Sequence, residues 1–324
     1  MVGKKKIIKK FVVSALAVAI CAASAISIVP NESQITADAA ITIKNYQVLY
    51  LKQDSQSVKS NGLTTSALRK GYYIGYKLNA NQYIVATNRT YKIVPASRIK
   101  VEASNTSANK ILLTGAISQL GENTYYANGC GPACVTMVAD WELNKNLTKD
   151  DVIDYYRQSK FNAAVRFTST EKDRKTWCYG NGNGTPNTGV QYMVHRYANT
   201  INKGSYYYST LGNTQNQIID EIDALLKNGH RVIACVKHKS TAKTNGMEHD
   251  YLGAYTHWVV ITAETGSRSG NYYIADPYYA EKSKYKINGN NYYYGLEKRT
   301  KSEIAKSIQG ITSNKIAGLI TVKG

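Results

Sequence analysis

Residues 128–138 read NGCGPACVTMV, and the fold of the chain turns on this stretch. Gly129 and Gly131 bracket Cys130, Pro132 follows, and Cys134 stands one helical turn beyond the first thiol. Proline suits the first turn of a helix, where its missing N–H would find no partner anyway. A helix is therefore expected from about Pro132 through VTMVADWEL to residue 143. The start of a helix presents unpaired N–H groups and the positive end of the helix dipole. A thiol held there is favoured as thiolate, the form that attacks carbonyl carbon. The competing reading is a turn into an ordinary buried helix, with both thiols packed as small hydrophobes. Cys134, alongside Met137 and Val138, reads as packing under either view.

A nucleophilic thiolate needs a basic partner, and the chain has five histidines. His195 falls in an amphipathic helix, and His230 follows a helix end. His238 and His249 sit in or beside the polar stretch KHKSTAKTNGMEHDY (237–251). His257 differs, because it opens an apolar strand, HWVVITA, and the next apolar strand ends at Asp276 in YIADP. If the two strands form a hairpin through ETGSRSGN, the numbers of paired residues add to a constant. Any odd constant brings His257 and Asp276 to one face, about 4.5–8 Å apart; an even one sends them to opposite faces. The register itself stays open at this level. An aspartate accepting from the second ring nitrogen would orient His257 and favour its protonated form.

Other elements frame this pair. KDDVIDYYRQ (149–158), TGVQYMVHRYA (188–198) and TQNQIIDEIDALLKN (214–228) read as helices. Thr214 and Gln217 fit a capping box, and Gly229 fits a helix C-terminus. RVIACVKH (231–238), HWVVITAE (257–264) and NYYIADP (271–277) read as strands. Helices first and antiparallel strands later give an α+β domain. Residues 41–103 differ: ITIKNYQVLYLK, YYIGYKL, NQYIVAT and YKIVP are short strands between turns, and VPASRIKVE holds a helical turn between two of them. This all-β module resembles, in size and strand rhythm, the small barrels of bacterial SH3-like domains; the alternative is a β extension of the main domain. EASNTSANK is polar and aperiodic, and 104–110 is expected to be a linker to the main domain, 111–324. The tyrosine runs SYYYS, NYYI and NYYYG suit edge strands and surface packing.

Together, NGCGPACVTMV, the Lys227-Asn228-Gly229-His230 turn into RVIACV, then HWVVITA and YIADPYY are similar to the C39-like peptidases of the papain-like superfamily. The resemblance covers about residues 111–300. It implies a papain-like cysteine peptidase domain, with a helical N-terminal part and a C-terminal antiparallel sheet. It also implies Cys130 as nucleophile, His257 as base and Asp276 to orient it. The upstream oxyanion-hole glutamine of that family falls on Gln119 in AISQLGENTYYANGC, farther from the cysteine than in the leader-peptide-cleaving branch. The implied substrate is a peptide or protein, hydrolysed without cofactor or metal. A catalytically silent wall-binding protein and a peptidoglycan amidase or transpeptidase are the rival functions. Residues 161–186, including Trp177, have no family counterpart and are a candidate cap for the cleft.

Targeting and charge bound the setting. Lys4, Lys5, Lys6, Lys9 and Lys10 precede an apolar run from Phe11 to Val29, and Ala37-Asp38-Ala39 offers a small-x-small site. Residues 1–39 thus read as a secretory signal peptide. A membrane anchor is the alternative, since the apolar run approaches the roughly 20 residues that span a bilayer. Ile20 before Cys21 stands where a lipid-attachment motif needs a small residue. The formal net charge is +19. An exported chain this basic is drawn to anionic cell-wall polymers, while no nucleic-acid-binding motif is present. The chain is expected to be secreted or wall-associated, with no membrane contact after cleavage. No Cys-x-x-Cys or Cys/His spacing suggests zinc.

Overall fold

The computed structural model describes residues 45–58, 64–87, 90–106, 110–117, 130–143, 190, 193–194, 213–240, 249–278, 286–287, 290–293, 295–311 and 318–323. Gln119, Cys178, the 161–186 segment, the helix expected over 149–158 and residues 1–39 lie outside them, as does most of 188–198. The described part is mixed α/β, with two five-stranded antiparallel sheets and three helices. Among the described residues no helix is long and apolar enough to cross a membrane.

The first sheet is built from β1 (Gln47–Leu51), β4 (Gly71–Asn79), β5 (Gln82–Thr87), β6 (Thr90–Pro95) and β7 (Ile99–Ser104), in the order β6-β5-β4-β1-β7. The expected helical turn is a 3₁₀ turn, Ala96–Arg98, between β6 and β7. Leu49, Leu51, Tyr73, Val85 and Val94 form a small core of their own on one face. The opposite face has a different fate. Tyr46, Val48, Ile74, Ile84 and Ala86 pack into the same hydrophobic core as Cys134, Met137 and Trp258 of the main domain.

Further ties join these two parts. β2 (Ser55–Val58) and β3 (Thr64–Leu68) share a four-stranded sheet with β11 (Lys286–Ile287) and β12 (Asn290–Tyr293), in which β12 runs parallel to β3. The backbone N–H of Leu296 donates to Tyr72 O at 2.6 Å. A Cβ on Gly295 would lie 1.8 Å from that carbonyl, so only glycine allows this approach. Lys298 sits over the rings of Tyr72 and Tyr273, which lie 5.4 Å apart. The stretch expected to be a linker is tied at both ends: Asn105 N–H donates to Tyr46 O, and its side chain accepts from Ile111 N–H.

The main sheet runs β13-β10-β9-β8-β14, from β8 (His230–Ser240), β9 (His249–Thr265), β10 (Asn271–Ala275), β13 (Glu297–Thr300) and β14 (Leu319–Lys323). Alternation along the strands sorts the side chains by face. Ile233, Cys235, Trp258, Val260 and Tyr273 join the core around α1 (Cys130–Leu143). Val232, Ala234, Val259, Ile261 and Tyr272 meet α2 (Gln215–Lys227) and α3 (Lys301–Gln309) on the other. The capping box at Thr214 forms in both directions, and Gly229 takes φ +79 just past the end of α2. This is a left-handed conformation that glycine adopts without strain.

Between the sheet and its two outer helices lies a buried charge cluster. Lys301, fully buried, donates to Asp223 Oδ2 at 2.7 Å and Glu264 Oε2 at 2.6 Å. The Tyr272 hydroxyl donates to Asp223 Oδ1 at 2.9 Å. Burial and the Asp223 charge push the Tyr272 phenol far above its ordinary pKa, so it remains a donor. Removing one member of such a cluster strands the others in low dielectric, at several kcal/mol.

Candidate active site

α1 begins at Cys130 itself. Its residues Ala133, Cys134, Val135, Met137 and Val138 are all buried, as expected of an apolar helical stretch that threads the core. The Thr136 hydroxyl donates back to Pro132 O at 2.8 Å, satisfying a polar atom the core would otherwise penalise. Upstream, Arg231 anchors the approach to this helix. Its Nη2 donates to Leu113 O at 2.7 Å and its Nε to Thr114 Oγ1 at 3.2 Å. Burial lowers its pKa to about 10, partly opposed by Tyr46, and the guanidinium stays charged at neutral pH.

His257 is brought to Cys130 by β9. It was expected to open the strand; instead β9 starts at His249, and His257 lies within it, paired with Val236 of β8. The hairpin register is not constant. From Asn271↔Thr265 to Tyr273↔Ala263 the paired numbers add to an even value; from Ile274↔Ile261 onward they add to an odd one. The change occurs because Thr262 is an extra residue on β9 with no partner on β10, a β-bulge. Its buried hydroxyl donates to Tyr273 O at 3.1 Å. From Ala275↔Val260 this odd register runs directly into Asp276, whose carboxylate meets His257.

The resulting contact is direct. His257 Nε2 lies 2.8 Å from Asp276 Oδ1, and the aspartate is fully buried. Asp276 Oδ1 also accepts from the Tyr278 N–H at 2.7 Å. Pro277 has no N–H to offer, so the carboxylate closes on the next donor along, an Asx-type turn. The Tyr278 ring stands edge-on to the imidazole, with centroids 6.4 Å apart at 84°. Desolvation by burial would lower the His257 pKa. The Asp276 charge and hydrogen bond, with a hydrogen bond to Cys130, override it and push the value up to about 10. With Nε2 engaged by Asp276, Nδ1 is the ring nitrogen left for Cys130.

The three described thiols are thereby sorted. Cys134 and Cys235 are fully buried, and burial, with neighbouring Cys130, pushes both well above the ordinary thiol value, so both stay protonated. Of the three, Cys130 alone stands at a helix start and within a hydrogen bond of the His257 ring. A protonated imidazole held by a carboxylate next to a thiol can stabilise a thiolate and then deliver a proton.

The structure thus brings together Cys130, His257 and Asp276; Gln119 is outside the described residues. Sequence reading missed Thr262 and the Tyr278 N–H. The Asp-Pro pair signals the second, whereas no residue type marks the bulge. Among the described residues, no group of three His, Cys, Asp or Glu side chains could hold a metal ion.

No curated protein matches the sequence. The model of the Peptidase_C39 like family matches residues 112–315, which include Cys130, His257 and Asp276. Since that match spans more than half of the chain, the protein belongs to the Peptidase_C39 like family, a peptidase family that implies a peptide or protein substrate.

Proposed function

We propose that the chain is an exported cysteine peptidase that hydrolyses peptide or isopeptide bonds through Cys130, His257 and Asp276. The observation that carries this reading is the 2.8 Å bond from His257 Nε2 to Asp276, beside the Cys130 thiol. The Cys130 thiolate attacks the substrate carbonyl carbon, and the C=O electron pair moves to oxygen. Gln119 and the Cys130 N–H are assigned to that oxyanion. As the tetrahedral centre collapses, the C–N bond breaks and the imidazolium gives its proton to the departing amine. Water then attacks the thioester while neutral His257 takes its proton. The thiolate leaves, restoring the ion pair. Asp276 holds the ring and its charge throughout.

The basic n-region, the apolar run and the Ala37-Asp38-Ala39 site support export. The strongly basic composition supports retention on anionic wall polymers, and the 41–103 module is assigned an SH3-like role there.

Hydrolysis of a fluorogenic peptide library by the chain from Ala40 onward tests the reading. Turnover by the wild type and its loss in Cys130→Ala are expected. Equal turnover in both would overturn it. No turnover on peptides, with release of fragments from purified peptidoglycan, would move the assignment to an amidase or transpeptidase using the same residues.

A further inference from the structure

We propose that Tyr255 is a specificity residue, which receives a large apolar or aromatic substrate side chain within the first two residues after the scissile bond. The proposal rests on the thiol-peptidase reading above. Among the residues whose exposure is described, Val101 on β7 and Tyr255 are large hydrophobics open to solvent, and the second is 71 % exposed. An open tyrosine ring offers apolar area with a polar hydroxyl edge to whatever passes it.

Its position is next to the site. Tyr255 stands two residues before His257 on β9, so both side chains leave the strand on one face, about 7 Å apart at roughly 3.4 Å per residue. It is paired with His238, and the next pair on the ladder is Lys239↔Asp250; residues 251–254 stand outside the ladder. The regular pairing of β8 with β9 therefore ends at Tyr255, immediately beside the imidazole.

The reaction fixes which part of the substrate passes here. The acyl part remains on Cys130 sulfur, while the amine that departs takes its proton from His257. The chain that follows the scissile bond therefore begins at His257. An extended peptide advances about 7 Å in two residues, the same step that separates His257 from Tyr255. A phenol ring with one open face and a polar edge suits stacking against an aromatic or branched aliphatic side chain.

The test maps cleavage sites in a peptide mixture by mass spectrometry, using the chain from Ala40 onward and its Tyr255→Ala and Tyr255→Phe variants. The wild type and Tyr255→Phe are expected to favour aromatic and large aliphatic residues at the first two positions after the bond. Tyr255→Ala is expected to lose about tenfold in kcat/KM on those peptides, mainly through KM, with little change where glycine or alanine follows. Iodoacetamide should alkylate Cys130 at the same rate in all three. An undiminished preference in Tyr255→Ala overturns the proposal, as does a parallel fall in alkylation rate, which would mark a structural effect. A wild type that cleaves no peptide overturns the peptidase reading instead, and this proposal with it.

Discussion

His257 and Asp276 meet because β9 carries one residue more than β10 between the hairpin turn and the site. Near the turn the register is even, a pairing that would send the two side chains to opposite faces. Thr262 absorbs one residue, the register becomes odd, and Nε2 comes within 2.8 Å of Oδ1.

Removing Thr262 should leave the pair together. With the extra residue gone, Ala263↔Tyr273 and Ile261↔Ile274 become consecutive pairs, Val260↔Ala275 is kept, and peptide hydrolysis should persist. Thr262→Val keeps the residue count and loses only the hydroxyl to Tyr273 O. That variant should stay active and lose about 1 kcal/mol, read from a urea midpoint. Loss of activity in a folded deletion variant would show that His257 and Asp276 are not held by this register.

The Asp276 charge should be visible in the pH dependence of stability. His257 is raised from 6.5 unfolded to about 10 folded. The folded state then holds an extra proton between these values, so the stabilisation is complete below pH 6.5 and lost as pH rises through 10. In Asp276→Asn, burial acts without the opposing carboxylate, so this fall should be absent from the variant and the stability difference between the two proteins should shrink as pH rises from 6 to 10. kcat/KM should drop by roughly 10²–10⁴, as when a triad carboxylate is neutralised. Denaturant midpoints at pH 6, 8 and 10 check the first, and peptide hydrolysis the second.

Lys301→Met should destabilise the main domain by about 3–5 kcal/mol, because Asp223 and Glu264 would remain buried without their cation. Adding Asp223→Asn and Glu264→Gln should recover much of that loss. A single variant as stable as the wild type would mean that the cluster relaxes into water.

Much of this arrangement was legible in the sequence, and what was not has physical causes. The capping box at Thr214 and Gln217 has fixed spacing and a local mechanism, so it can be read directly. The apolar runs after His257 and before Asp276 mark strands for the same reason. Parity could be posed as a question but not answered, because Thr262 looks like any other residue of a β-branched run. Lys301 follows Arg299 and Thr300 and precedes Ser302 and Glu303, a stretch that reads as solvated. Its burial follows from acids that lie far away in sequence on α2 and β9. The sheet joining β3 to β12 is equally non-local, and its strands are polar and short. One face of the first sheet shares the core that holds Cys134 and Trp258, and this too is hidden from the sequence, since alternation reports that a face is apolar but not what covers it.

Site-resolved alkylation kinetics test most directly that Cys130 is a nucleophile made reactive by His257. The wild type and His257→Ala would be treated with iodoacetamide at pH 7 and their peptides quantified by mass spectrometry. Cys130 should be labelled far faster than Cys134 and Cys235 in the folded wild type, and its rate should collapse in His257→Ala while the other two stay slow. Equal slow labelling of all three thiols, or a Cys130 rate indifferent to His257, would contradict it.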